Sequence, residues 1–208
     1  MNRRRQHGHH DLADRADNAD VAEAPRLDGH ERDALPDDGN RYELIDGVLI
    51  ASPAPQWRHQ RASTRLSVLL AGAVPADLEV LAAPFDVTLS DDTAMEPDLL
   101  VAPVAALAQR GLDGAPLLAV EIASPSSRTI DRHVKKDRLR RASCPHYWIV
   151  DPDEPSITAW ALRETDRADG ADNADDEPAY DLVGRAVGDE ELALTEPFDV
   201  RIVPAHLV

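Results

Sequence analysis

The chain has a single cysteine, Cys144, among 208 residues. That excludes an internal disulfide framework and a cysteine-based zinc site, and a reducing interior is compatible with it. Long apolar runs are missing too. The start, Met1-Asn2-Arg3-Arg4-Arg5 followed by His7, His9 and His10, lacks the apolar segment of a secretory signal, and no stretch approaches the roughly 20 apolar residues of a membrane span. The expectation is a soluble cytoplasmic protein with no membrane partner. There is no Gly-x-Ser-x-Gly elbow, so nothing supports a serine nucleophile, and no internal repeat is evident.

Positive charge is scarce: 22 Lys and Arg stand against 39 Asp and Glu, a net charge of −17. A polyanion resists a polyanionic partner, so the total argues against nucleic acid. The distribution of charge points the other way. Residues 1–40 carry −4, residues 41–163 carry −3 and residues 164–208 carry −10, so most of the acidity lies outside the candidate core. Inside it, residues 128–141 hold seven basic side chains against Asp131 and Asp137. Arg128, Arg132, Lys136 and Arg138 of this stripe are the candidate nucleic-acid contacts.

With 43% hydrophobic residues, the length suffices for one ordinary domain with a real core. Residues 1–40 have few large apolar side chains and read as a disordered tail; its scattered His7, His9, His10 and His30 suggest no specific metal site. A single domain is expected over residues 41–208. Arg41 to Ile50 reads as a hairpin through Asp46-Gly47, Trp57 to Ala73 as a helix, and Leu78–Ala82, Phe85–Leu89 and Met95–Val101 as strands. A short helix over Pro103–Gln109 follows, then a strand over Leu117–Ala123, a helix over Ile130–Ala142, a strand from His146 stopped by proline at Asp151-Pro152, and a strand over Ser156–Leu162. The acidic stretch at about 164–179 reads as a solvated loop. Late strands over Tyr180–Arg185 and Phe198–Val203 close the fold.

Two of these strands carry acids. Asp98 follows Pro97 at the mouth of an apolar run, and Glu121 lies within Leu117–Ala123, which has no polar alternation, as in a strand covered on both faces. A carboxylate is costly there unless it is paired or holds a cation. The two acids could converge on one hard divalent ion such as Mg²⁺, which takes oxygen ligands. Taken singly, each reads first as a structural acid meeting water at a strand end, and neither alone is evidence of a site.

The ordered series Tyr42-Glu43-Leu44-Ile45-Asp46-Gly47, His59-Gln60, Glu96-Pro97-Asp98, Val120-Glu121-Ile122-Ala123-Ser124-Pro125-Ser126, Asp131 with Lys135, and Tyr147-Trp148-Ile149-Val150-Asp151-Pro152 resembles the Uma-type restriction-endonuclease family. That family is a bacterial branch of the PD-(D/E)XK nuclease superfamily. The resemblance spans about residues 41–205 and implies an α/β fold, an α+β mixed sheet flanked by helices. It implies a metal-dependent endonuclease that cuts DNA phosphodiester bonds by activated-water attack. Asp98, Glu121 and the backbone carbonyl of Ile122 would hold Mg²⁺ or Mn²⁺, Glu43 would support the metal shell or the water, and His59 would shuttle protons or donate to phosphate. Related nucleases lead one to expect a homodimer.

The superfamily expects lysine two residues after the second acid, where this chain has Ala123. The resemblance places the replacement at Lys135, with Lys136 as the fallback. Relatives usually have an aromatic residue where Leu139 stands. The missing strand lysine and the acidity motivate a second reading, a catalytically inactive nuclease fold kept as a DNA- or protein-binding regulatory module. A third, a carboxylate-pair hydrolase acting on sugars, has no use for the basic helix.

Overall fold

The computed structural model describes residues 26–36, 40–124, 127–163 and 178–208. The first element, α1 (Gly29–Asp33), is closed by a capping box: Asp28 accepts from the Glu31 N–H at 2.9 Å, and Glu31 accepts from the Asp28 N–H at 3.0 Å. Arg32 then bonds both oxygens of Asp86, at 2.9 and 3.1 Å, and docks the helix. Residues 26–36 therefore depart from the disordered tail expected over 1–40. A local cap and one long-range ion pair hold a segment whose composition offers little to bury. His30 is exposed on α1; His7, His9 and His10 lie outside the described residues.

β1 (Arg41–Ile45) and β2 (Val48–Ser52) form the expected hairpin. Its two turn residues, Asp46 and Gly47, have φ of 51° and 75°, as a two-residue turn of the primed type requires. α2 (Trp57–Ala71) buries Ala62, Leu66 and Leu70, spaced by four along one face. β3 (Leu78–Ala82) and β4 (Asp86–Ser90) follow. The single strand expected over Met95–Val101 is two, β5 (Thr93–Met95) and β6 (Leu99–Pro103), which belong to different sheets. Pro97 has no N–H to give to a ladder, and Glu96-Pro97-Asp98 forms the crossing.

The expected helix over 103–109 is one 3₁₀ turn, Val104–Ala106, ahead of β7 (Gly111–Asp113) and β8 (Leu118–Ile122). The helix after β8 opens as a wide π turn over Ile130–Lys135 and continues as α3 (Lys136–Arg141). β9 (His146–Asp151), β10 (Ser156–Leu162) and β11 (Tyr180–Val187) come next. The expected strand over 198–203 is β13 (Val200–Ile202), paired with an unanticipated β12 (Leu192–Leu194). Most of the acidic loop, residues 164–177, lies outside the described residues.

Among the described residues the sheets have the orders β2-β1-β5-β4-β7, β11-β10-β9-β8-β6-β3 and β12-β13. β8 sits inside the second, antiparallel to β6 and parallel to β9. Its Leu118, Val120 and Ile122 share a buried cluster with Ala62, Leu66 and Leu70 of α2. Ala119 and Ala123 share another with Ile45, Met95, Leu139 and Tyr147. Both faces are covered, which is why this strand reads as an unbroken apolar run. Truncating one of these leucines to alanine costs about 2–5 kcal/mol. By alternation Glu121 joins the Ala119 and Ala123 face, toward β1 and the π turn.

Candidate active site

Three elements bring the acids together. β6 begins just after Asp98, so this carboxylate stands at the seam between the two large sheets. Its Oδ2 accepts from the Ile122 N–H at 2.8 Å and lies 3.1 Å from His59 Nε2; its Oδ1 lies 3.3 Å from Arg41. Burial alone would raise its pKa. The His59 hydrogen bond and charge, the Ile122 N–H and the Arg41 guanidinium outweigh burial and hold it below the usual carboxylate range.

Glu121 is 1% exposed. Its Oε1 lies 3.2 Å from Lys135 Nζ, which also lies 2.9 Å from Glu43 Oε1 and 3.9 Å from Asp131 Oδ1. Asp131 and Lys135 are the buried residues of the π turn, and the Tyr147 hydroxyl, itself buried, donates to the Asp131 carbonyl at 2.7 Å. Single π turns recur at functional sites. Here the turn aims Asp131 and Lys135 inward beside the half-buried Ile130, while Arg132, His133 and Val134 face out. Burial works against the charge on Lys135, but Glu121, Glu43 and Asp131 together raise its pKa and keep it an ammonium. Burial, and then the neighbouring Asp131, Asp98 and Glu43, push Glu121 well up despite Lys135.

The structure thus brings Glu43, His59, Asp98, Glu121 and Lys135 into one cleft of ≈ 690 Å³, whereas Ile122 does not line it and reaches the site through its backbone N–H to Asp98. His59 is no helix cap: the N-terminal cap of α2 is Gln56, and His59 instead contacts Asp98. Ser124 and Ser127 bond each other in the turn after β8, at 3.0 Å between hydroxyls. Three cleft residues were not among the sequence-derived candidates. Arg41 contacts Asp98 and lies 3.8 Å from both Glu43 and Glu96; its spacing of two from Glu43 on one strand was a signal for a shared face. Glu96, largely buried, is raised to about 6 by burial, partly offset by Arg41. Asp131 stands in the sequence as a motif member, with nothing local to mark it as a buried acid.

The basic stripe is not gathered at this cleft. Arg128 pairs with Asp151 at 2.8 Å. Arg138 Nε bonds Asp46 at 2.6 Å, and the same guanidinium pairs with Asp137. Lys136 stands 3.7 Å above the Trp160 ring, and burial lowers its pKa. Arg132 is exposed. It lines a separate shallow depression together with Lys136.

No group of three His, Cys, Asp or Glu side chains among the described residues already stands in a metal-holding arrangement. The donor set nonetheless fits a hard divalent ion. Glu43, Glu96, Asp98, Glu121 and Asp131 line the cleft together with Lys135, Arg41, Arg58 and His59. Burial raises the pKa values of Glu96, Glu121 and Asp131, and the nearby Arg41 and Lys135 offset it only in part while neighbouring acids add to it. Oxygen donors in such an excess suit Mg²⁺ or Mn²⁺ better than softer metals.

Fold and site define a mixed α+β protein of the restriction-endonuclease-like type. The chain belongs to the Uma2 family, described as "Putative restriction endonuclease", whose model matches residues 30–181. It is also similar to a crystal structure of "a putative nuclease belonging to DUF820 from Anabaena variabilis ATCC 29413", with a TM-score of 0.64 and 18% identity over 87% of this chain and 97% of that one. No curated protein matches the chain. Membership supports a nuclease function, and the structural likeness supports the fold. No helix among the described residues is long and apolar enough to cross a membrane.

Proposed function

We propose that this protein is a metal-dependent endodeoxyribonuclease that hydrolyses phosphodiester bonds by attack of water. The observation that carries the reading is the convergence of Asp98, Glu121, Glu43, His59 and Lys135, drawn from four elements and the seam between the two large sheets, into a single acidic cleft. Asp98, Glu121 and the Ile122 carbonyl would hold Mg²⁺ or Mn²⁺. Such an ion, when bound, polarises the scissile phosphate and lowers the pKa of a water. Lys135, kept charged by the acids around it, offers positive charge toward the phosphate oxygens as negative charge develops on them. His59 holds Asp98 through Nε2, while its Nδ1, buried with no hydrogen-bond partner among the described residues, is available to accept a proton or give one up. A cytoplasmic setting and a homodimer belong to the same proposal.

The experiment is calorimetric titration of Mn²⁺ into wild type, Asp98→Asn and Glu121→Gln, followed by plasmid nicking with the same samples. Wild type binds and nicks, and both variants lose metal and activity. Equal metal binding by the variants would make the acids structural. One observation favours a second reading, an inactive binding module: Lys135 already bridges Glu43 and Glu121, and Arg41 with His59 already meets Asp98. Steeply salt-dependent DNA binding without cleavage at any metal concentration would select it.

A further inference from the structure

At least eight of the fifteen arginines among the described residues are neutralised by the chain's own carboxylates. Arg32, Arg41, Arg128, Arg138, Arg140, Arg141, Arg163 and Arg201 each pair with a carboxylate. Arg58 and Arg61 on α2 do otherwise. Both are exposed, and each lies against an aromatic face: their guanidiniums stand 5.0 and 4.8 Å from the ring centroid of Trp57. Trp57 is 60% exposed, although it is the first residue of a well-formed helix whose buried face begins only at Ala62. A large indole left in water next to two arginines that pair with no carboxylate among the described residues contributes little to the fold.

The position of the cluster gives it a use. Arg58 lines the candidate active-site cleft together with Gln56, His59 and Gln60, so the cluster sits at its mouth. The first turn of α2 holds no acidic residue and its N-cap makes no side-chain hydrogen bond, which leaves the positive end of the helix dipole facing the same side. The floor of the cleft is acidic and repels phosphate unless a cation is bound there, so a nucleic acid needs favourable contacts at the rim. The stripe over residues 128–141 is largely committed to Asp46, Asp137, Asp151 and Trp160.

We propose that Trp57, Arg58 and Arg61 form a DNA-strand contact beside the cleft, in which Trp57 stacks on an unpaired base and the two arginines meet the flanking phosphates. An indole face accepts any base without reading sequence, and stacking of this kind is sensitive to alanine replacement. Arginine can lie parallel to the indole and still direct its N–H groups to phosphate oxygens. The surface favours a single-stranded or locally opened segment over an intact duplex, because bases inside a duplex offer no free face. The inference rests on the nuclease reading for its substrate, but its test does not depend on cleavage.

The test is fluorescence anisotropy with a labelled single-stranded oligodeoxynucleotide and a duplex of the same length, in Ca²⁺, with intact DNA checked on a gel. Wild type is compared with Trp57→Ala, Trp57→Phe and the double variant Arg58→Ala/Arg61→Ala. Trp57→Ala weakens single-strand binding by about tenfold and duplex binding much less, while Trp57→Phe keeps most of the affinity. The arginine pair lowers the slope of log affinity against log salt by about 1.4, two phosphates at ~0.7 each. Unchanged single-strand binding by Trp57→Ala, or an equal loss on the duplex, overturns the inference. If that happens while wild type still nicks plasmid, the nuclease reading stands alone. If wild type nicks nothing with any metal but Trp57→Ala loses single-strand affinity, the contact stands and the nuclease reading falls. Absence of any DNA binding by wild type removes both.

Discussion

Lys135 Nζ lies 3.2 Å from Glu121 Oε1, although the two residues are fourteen apart and belong to a π turn and a central strand. Both are almost fully buried. Ala123, where related nucleases carry the lysine, shares the face of β8 with Glu121, and its small side chain packs in the cluster of Leu139 and Tyr147. The positive charge thus comes from the helix instead of the strand.

Removing that charge is expensive. Lys135→Met removes the cation that bridges Glu121 and Glu43 and leaves Arg41, 3.8 Å from Glu43, as the remaining positive charge beside the pair, and the loss of a buried partner of this kind costs about 3–5 kcal/mol. Urea unfolding of the metal-free protein reads it out, and a loss below about 1 kcal/mol would show that water reaches the pair.

Tyr147 acts at one remove. Its hydroxyl holds the Asp131 carbonyl in the π turn and its ring packs against Trp160 and Tyr180. Tyr147→Phe keeps the packing and strands a buried carbonyl, so it lowers stability by about 1–3 kcal/mol. If the turn is needed to aim Lys135, nicking activity falls by more than the unfolded fraction explains; activity that tracks stability alone would assign Tyr147 no positioning role.

Glu96 sets a pH dependence. Its pKa is raised to about 6 in the fold from an ordinary 4.5. The native state therefore binds the proton more tightly, and this group's contribution to stability declines as pH rises from about 4.5 to about 6 and stays lost above that. Glu96→Gln removes the penalty. In metal-free buffer the variant gains on wild type by up to about 1 kcal/mol, after allowance for solvent screening, as pH rises from about 4.5 to about 6, and keeps that difference at higher pH. Parallel stability curves for the two proteins would contradict the assignment.

The hairpin turn is tied to α3 by Asp46 and Arg138, ninety-two residues apart, with Arg138 first among the causes that lower the Asp46 pKa. Asp46→Ala also places alanine at φ 51°, so Asp46→Asn is the cleaner variant: asparagine tolerates that conformation but carries no charge. A loss of about 1 kcal/mol is expected by denaturant titration, concentrated at low salt.

Local chemistry made several elements readable from the chain itself. Asp46-Gly47 between two apolar runs specified the hairpin, because few residue pairs accept two positive φ values. The four-residue spacing of Ala62, Leu66 and Leu70 specified α2, and the unbroken apolar run around Glu121 specified a strand covered on both faces. The motif series singled out the two acids and Lys135 without reference to the fold. Other expectations missed for physical reasons. Pro97 moves the chain from one sheet to another, which a strand pattern across Met95–Val101 hides. α1 depends on the distant Asp86. The stripe over residues 128–141 is basic in sequence, but only partner distances reveal how much of it is already neutralised.

Sequence by itself thus determined which residue types and local conformations were available: the primed turn, the helix stripe, the apolar strands and the order of the acids along the chain. Only the tertiary structure decided which charges meet. Lys135 and Glu121 are 14 residues apart and Arg41 and Asp98 are 57 apart, and no local propensity encodes a partner at such distances. The balance of charge in the cleft, and the exposure of Trp57 with its two arginines, follow from how α2 and the two sheets pack, because burial and electrostatic compensation are properties of positions in space and not of neighbours along the chain.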